Sequence, residues 1–182
     1  SIGGVTDLET AVDGLTSIVN AFGYESSETQ DVADIMFETM RRGKTTIGEL
    51  SDFFFQAAPV SSALGVTFEE LSASITTLTL SGTPTRVAMT QVRQAMVALA
   101  KPTADMEALF EAVGFESGLA AIRSEGLVGA LTKLQEESGA TEEEFIKAVG
   151  SIDALQAVMG LTGKNTPAFL DNMVAMENAA GN

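Results

Sequence analysis

Apolar residues recur at helical spacing along almost the whole chain. Leu8, Val12, Leu15, Val19 and Phe22 form one stripe, with Ala11 and Ile18 filling it. That period predicts an amphipathic helix, capped at Thr6-Asp7-Leu8-Glu9 and closed by Gly23. A second helix should start near Ser26 or Ser27 and carry Val32, Ile35, Met36 and Met40. Arg41 and Arg42 fall in its last turn, where cations suit the helix dipole, and Gly43 stops it. A third is expected over 47–58, with Pro59, which has no N–H to donate, kinking or restarting it. Phe68, Leu71, Ile75 and Leu78 mark a fourth. Ala88, Val92, Ala95, Met96 and Leu99 mark a fifth over 85–100, stopped by Lys101-Pro102. Beyond Pro102 helices fit 104–113, 118–123, 127–137, 142–149, 152–159 and 167–179, separated by glycines. The stretch from Met173 on is weakly apolar and rich in small residues, so it is expected to fray. No strand pattern of useful length is present.

The start signals share one chemistry. Thr46-Ile47-Gly48-Glu49 is echoed by Thr67-Phe68-Glu69-Glu70, and Thr141-Glu142-Glu143-Glu144 repeats it. In each, Thr can accept from the backbone N–H three residues on, and Glu can reach back to the Thr N–H. The echo at Thr46 and Thr67 is a single repeat, too little for a solenoid.

Phe53-Phe54-Phe55 breaks the amphipathic pattern. Successive helical residues lie ~100° apart, so three adjacent Phe cannot share one face. Either this third helix is central and buried on most sides, or it shows a Phe to a partner. Phe53, Phe54 and Phe55 are therefore the candidate partner surface. Arg86, Arg93 and Lys101 form a basic stripe on the far side of the fifth helix. It reads as a solvated face or as partners for nearby carboxylates.

Composition narrows the function. The chain has 182 residues, room for one substantial domain or two small ones, and 45 % of them are apolar. A net charge of −15 opposes binding to nucleic acid phosphates, and no basic tract offsets it. There is no Cys and no His, which removes disulfides, thiolate or imidazole metal sites and Ser-His or Cys-His catalysis. No apolar run approaches the ~18 residues of a membrane span. The start at Ser1 without Met reads as a fragment or a processed product.

Local motifs add no chemistry. Gly43-Lys44-Thr45 resembles the end of a phosphate-binding loop, but Glu38 stands where the first Gly belongs and a helix precedes it instead of a strand. Glu136-Glu137 and Glu142-Glu143-Glu144 lack the Asp/Asn loop and central Gly of a calcium site. A single Tyr and no Trp argue against a sugar cleft, so the many carboxylates do not suggest a glycosidase. The eight Met are core filler. No enzyme activity, metal or cofactor is expected.

Residues 43–102 carry a resemblance. The chain there has a Gly43-Lys44-Thr45-Thr46 turn leading to Glu49-Leu50, then Gly65-Val66-Thr67-Phe68-Glu69-Glu70-Leu71, then Gly82-Thr83-Pro84-Thr85 and a helix ending Lys101-Pro102. This order resembles the core region of phage tail tape measure proteins, more weakly from about Leu8 to Gly163. The resemblance implies a structural segment of the virion that acts in tail-tube length determination and tail assembly and leaves during DNA ejection. It implies a place in the tail lumen, and in the host cytoplasm during assembly. It also implies tail-tube proteins, tail-tip proteins, tail assembly chaperones and further copies of itself as partners, without tight nucleic-acid binding. The alternative is a free-standing acidic helical interaction module, a chaperone-like adaptor using Phe53 to Phe55. A wall hydrolase ranks last.

The expected organisation is a linker or fragment start over 1–5, a helical core over 6–102, a short-helix continuation packed on it over 103–165, and a C-terminal helix over 166–182. The fold class is all-α, a compact bundle of short amphipathic helices punctuated by Gly and Pro. Helices of this length are marginal alone and must pack on one another. Small-angle scattering on the dilute chain should therefore give a radius of gyration near ~16 Å. A rod-like profile approaching the ~270 Å of one continuous helix would overturn this reading.

Overall fold

Ten α-helices and no strand follow one another along residues 3–181, which a computed structural model describes with side chains from Leu8 onward. They are α1 (Gly3–Phe22), α2 (Thr29–Arg42), α3 (Ile47–Leu64), α4 (Phe68–Leu80) and α5 (Thr85–Ala100). Then come α6 (Ala104–Val113), α7 (Gly118–Glu137), α8 (Glu142–Val149), α9 (Ile152–Leu161) and α10 (Thr166–Ala179). Short 3-10 turns at Ser26–Glu28 and Gly163–Asn165 lead into α2 and α10.

The central helix is α4, not α3. From Phe68 to Thr79 only Glu69 escapes full burial. Phe68, Leu71, Ile75 and Leu78 face the core as their spacing predicts. The remaining buried positions are Ala73 and the polar residues Glu70, Ser72, Ser74, Thr76, Thr77 and Thr79, of types more often found at a surface. Four of the five buried hydroxyls bond back to carbonyls of their own helix, while Ser72 Oγ has no hydrogen-bond partner among the described residues. Ser74 donates to Glu70 at 2.8 Å, Thr76 to Ser72 at 2.8 Å, Thr77 to Ala73 at 2.8 Å and Thr79 to Ile75 at 2.9 Å. Around α4 pack α2, α3, α5, α9 and α10. Next, α1 lies along α3, while α3 and α9 flank α5. Helices α6, α7 and α8 form a smaller cluster that meets the rest chiefly through α5 and α9. The accessible surface is 8997 Å² for 19.0 kDa. A folded monomer of that mass exposes about 8,400 Å². The chain is the compact all-α bundle its sequence predicts.

Caps and stops fall largely where the sequence places them. Thr46, Thr67, Thr103, Ser117, Thr141 and Ser151 each accept the N–H three residues on. Only at Thr141 among the three Thr-Glu boxes does the Glu reach back to the backbone, Glu144 accepting from Thr141 N at 2.8 Å. Glu49 instead meets the Thr46 hydroxyl at 3.4 Å, and Glu70 points elsewhere. An unforeseen box forms at Glu25, whose N–H donates to Glu28 at 2.7 Å.

Three boundaries differ from the sequence reading. Helix α1 already runs from Gly3, so Thr6, whose side chain lies outside the described ones, is inside it and not at its start. Pro59 does not interrupt α3, which continues to Leu64. Proline removes one helical bond, but Pro59 sits on the exposed side, where water can satisfy the freed carbonyl, and buried Ser61 holds the extra turn to Met96. From Met173 on, where fraying is expected, α10 runs on to Ala179 with Met176 fully buried. The stripe of α1 is also turned: Ile18 is buried, while Leu8 and Val12 are 65 % and 51 % exposed.

Ile75→Ala should cost about 2–5 kcal/mol and Thr67→Ala about 1 kcal/mol in urea denaturation. Phe55→Ala should stay within ~0.5 kcal/mol. An Ile75→Ala chain with an unmoved midpoint would mean that α4 is not the core helix.

Candidate functional site

The three adjacent Phe of α3 separate as their angular spacing requires. Phe54 is 1 % exposed and packs edge-on against Phe68, with ring centroids 5.3 Å apart. Phe53 is half-buried against the core. Phe55 is 63 % exposed. Of the candidate partner surface, then, Phe54 is a core residue and Phe55 is the one presented to solvent. Phe55 stands at the rim of a shallow groove of about 400 Å³ between α1 and α3. Its lining of Ser17, Ile18, Asn20, Ala21, Phe54, Phe55, Ala58 and Pro59 contains no charged residue.

Glu70 forms a site that the sequence reading assigned elsewhere. It is 7 % exposed, and its carboxylate accepts from Val128 N at 3.0 Å and from the Leu127 N–H. Those amides open the second arm of α7, which is broken at Gly126 with φ 75° and ψ 174°. Gly126 has no side chain to cap the arm, so Glu70 caps it from another helix. The position needs glycine twice. Its φ is left-handed, and a Cβ there would stand 2.9 Å from Glu70 Oε1. Burial raises the Glu70 pKa above the ordinary carboxylate value, and the bonds from Val128 and Leu127 oppose that rise. A groove of about 610 Å³ opens beside this junction, with Phe169, Leu170 and Met173 of α10 along one wall. The missed signal lies in α4 itself: Glu70 is its last charged residue before ten uncharged positions.

The remaining motifs are structural in place. A Cβ on Gly43 would lie 2.8 Å from Thr79 Oγ1, so this glycine lets the end of α2 approach α4. Thr45 accepts from Thr85 at 2.7 Å, tying the same turn to α5. Lys44 therefore belongs to a helix connection and not to a phosphate cradle. Arg86, Arg93 and Lys101 are exposed, and no carboxylate pairs with them among the described residues. Their stripe is a solvated face. Glu144 is held below the usual carboxylate range by the Thr141 N–H, as a cap. Among the described residues no group of three acidic, His or Cys side chains is placed to hold a metal, and no helix is long and apolar enough to cross a membrane.

Residues 1–136 match the family described as phage-related minor tail protein. The chain belongs to that family. It is a structural part of a phage tail and thus of the virion. Among curated proteins the tail segment is similar to the probable tape measure protein of Clostridium phage phiCD119, at 30 % identity over 97 % of this chain and 20 % of that protein. It is also similar to the tape measure protein of Pneumococcus phage Dp-1, at 27 % identity over 59 % of this chain and 9 % of that protein. The resemblance seen in residues 43–102 is borne out. The chain spans about a fifth of the length of the first relative and less of the second. No solved structure matches it.

The fold extends beyond the family match. Helices α9 and α10 lie past residue 136, yet both close the core. Gln91 of α5 donates to Gln156 of α9 at 2.9 Å. Asn172 of α10 donates to Thr77 of α4 at 3.0 Å, and Arg42 of α2 donates to Asp171 at 2.8 Å and Asn172 at 3.2 Å.

Glu70 generates a pH prediction. Its folded pKa is raised, so the folded state holds the proton more tightly than the unfolded chain. Stability from this group is therefore present at acid pH and lost as pH rises from the ordinary carboxylate value through the raised one. Glu70→Gln keeps an acceptor for the two amides and removes the charge. Its urea midpoint should match or exceed that of the parent, by more at neutral than at acid pH. Glu70→Ala should instead lose roughly 1–3 kcal/mol by orphaning buried N–H groups. A Gln variant as weak as the Ala variant at neutral pH would overturn the assignment.

Proposed function

We propose that the chain is a folded bead within a tape measure protein, acting in tail-tube length determination and tail assembly and leaving with DNA ejection. The observation that carries the reading is similarity to two tape measure proteins across a segment that folds as a bundle and not as a rod. Its place is the tail lumen, and the host cytoplasm during assembly. Its partners are tail-tube and tail-tip proteins, tail assembly chaperones and further copies of itself. Length and packing perform this role, without catalysis. The charge of −15 suits a protein that shares a lumen with DNA and must not retain it.

In this reading the bead adds little to the ruler. Its 182 residues would span ~270 Å as one helix, but as a globule they span only about 40 Å. The test is an in-frame deletion of the segment in the phage that encodes it, with tail length measured by electron microscopy. Tails that still assemble should shorten by no more than about the bead's width. A deletion of equal length in a helical flank should shorten them by the full helical rise. Shortening by the full rise on loss of the bead would overturn the proposal. The adaptor alternative predicts that bead deletion leaves tails unchanged and that the segment binds tail chaperones as a separate polypeptide.

A further inference from the structure

One face of α10 is left uncovered by the bundle. Phe169, Asn172 and Met176 turn inward, whereas Leu170 and Val174 are each 54 % exposed and Met173 is partly buried. Positions 170, 173 and 174 are spaced as one helical stripe. The stripe borders the groove of about 610 Å³ beside Glu70, with Leu170 and Met173 in its wall. Across the groove runs the second arm of α7, from Leu127 to Glu137. The two walls do not close on each other because different helices hold them. Helix α10 packs on α2 and α4, while α7 packs chiefly on α5, α6 and α9.

Charge gives the groove a direction. Lys133, midway along the arm, pairs with Glu125 at 3.3 Å and lies 5.2 Å over the Phe115 ring, so its charge is matched within the chain. Besides buried Glu70, the other ionic side chains of the lining are Arg123, Glu136 and Glu137. These three are exposed and form no ion pair among the described residues. Arg123 stands before the arm, its side chain beside Gly65, and Glu136 and Glu137 end the arm. At ~1.5 Å per residue the arm is about 15 Å long. An unpaired cation therefore marks one end of the groove and two unpaired carboxylates the other.

We propose that this groove takes an amphipathic α-helix of a partner protein, about three turns long, with its acidic first turn at Arg123 and its basic last turn at Glu136 and Glu137. Both walls are helices and the described residues hold no strand, so there is no sheet edge for an extended segment to join. A helix instead covers Leu170, Met173 and Val174 with its own i, i+3, i+4 and i+7 positions. The helix dipole favours Asp or Glu in a first turn and Lys or Arg in a last turn. That arrangement is complementary to the groove in one direction only, parallel to the second arm of α7. The occupant is therefore a helix of defined polarity and not any apolar segment. A helix this short buries less than a standard interface, so the pairing is weak. The inference stands whether or not the segment acts in tail-length determination.

The probe is a fluorescein-labelled synthetic helix of about 14 residues, hydrocarbon-stapled on its solvent side. It carries Leu at the i, i+3, i+4 and i+7 positions, Glu in the first turn and Lys in the last. A second probe exchanges the Glu and Lys and keeps everything else. The two have equal net charge, so the −15 of the chain acts on both alike. In fluorescence anisotropy with the whole chain at low salt, the first probe should bind at least about tenfold tighter than the second. Leu170→Asp should weaken the first probe at least about tenfold. Exchanging the end charges, in Arg123→Glu with Glu136→Lys and Glu137→Lys, should make the chain prefer the second probe. All four residues are exposed, so none of these changes should unfold the chain, and circular dichroism checks this. Equal affinity for the two probes, or no saturation up to about 1 mM chain, overturns the proposal. So does a preference that survives the charge exchange. Binding that withstands Leu170→Asp but is lost in Phe55→Asp places the probe in the α1–α3 groove and also overturns it. None of these failures touches the tail-length test.

Discussion

A helix buried on every side has no water to satisfy its polar groups. Helix α4 meets most of that constraint with side chains short enough to bond to their own backbone, Ser72 being the exception. Ser74, Thr76, Thr77 and Thr79 each return their hydroxyl proton to a carbonyl three or four residues back. A longer polar side chain there would need a partner on a neighbouring helix, and a charged one would need an ion pair. Small side chains also let neighbours come close. Thr76 and Thr79 lie against Gly43 at the end of α2, and Leu78 lies against Gly160 of α9. Much of the bundle is arranged by what α4 can bury.

Where α4 does carry a longer polar group, the structure builds a junction around it. Glu70 ends the exposed part of the helix and reaches the broken α7. The cost of burying that carboxylate is offset only in part by two amide bonds, and the same bonds start a helical arm that has no cap of its own. Thr77 plays a lesser version of this part by accepting from Asn172, whose carbonyl in turn accepts from Arg42. A polar path thus runs from the surface pair of Arg42 and Glu38 into the core. Each such contact links elements distant in the chain, which apolar packing alone would position less specifically.

How much of this the sequence reveals depends on whether the cause is local. Helix α5 reads true from Thr85 to Ala100, and α6 and α8 likewise, because breakers, stops and apolar period agree over one segment. Gly126 reads true as a break for the same reason. The exposure of Phe55 was one of two readings that spacing allowed, and burial decides it. What sequence period cannot supply is which helix becomes central. Phe53 to Phe55 pointed to α3, but the decisive feature was the lack of charge after Glu70 in α4. Nor can a capping box say whether its Glu turns back to its own helix or out to another. That choice rests on Gly126 lying nearby in space, 56 positions on in the numbering of the chain. The phase of the α1 stripe fails for a related reason: Leu8 and Val12 keep the apolar spacing although the core does not cover them.

The order in which the core closes also follows from these long-range ties. Asn172 meets Thr77 across 95 positions, and Thr39 meets Met176 across 137. Closing such loops costs conformational entropy that local helix formation does not. Helices α3 and α4 carry their own side-chain caps at Thr46 and Thr67. Yet α4 lacks α10 over one flank and α9 over another until the last turns of the segment are made. Without α10, Thr77 would lack its Asn172 partner. The part matched by the family therefore holds the central helix but not its full covering. In this chain the helices beyond residue 136 convert an array of amphipathic hairpins into a closed core.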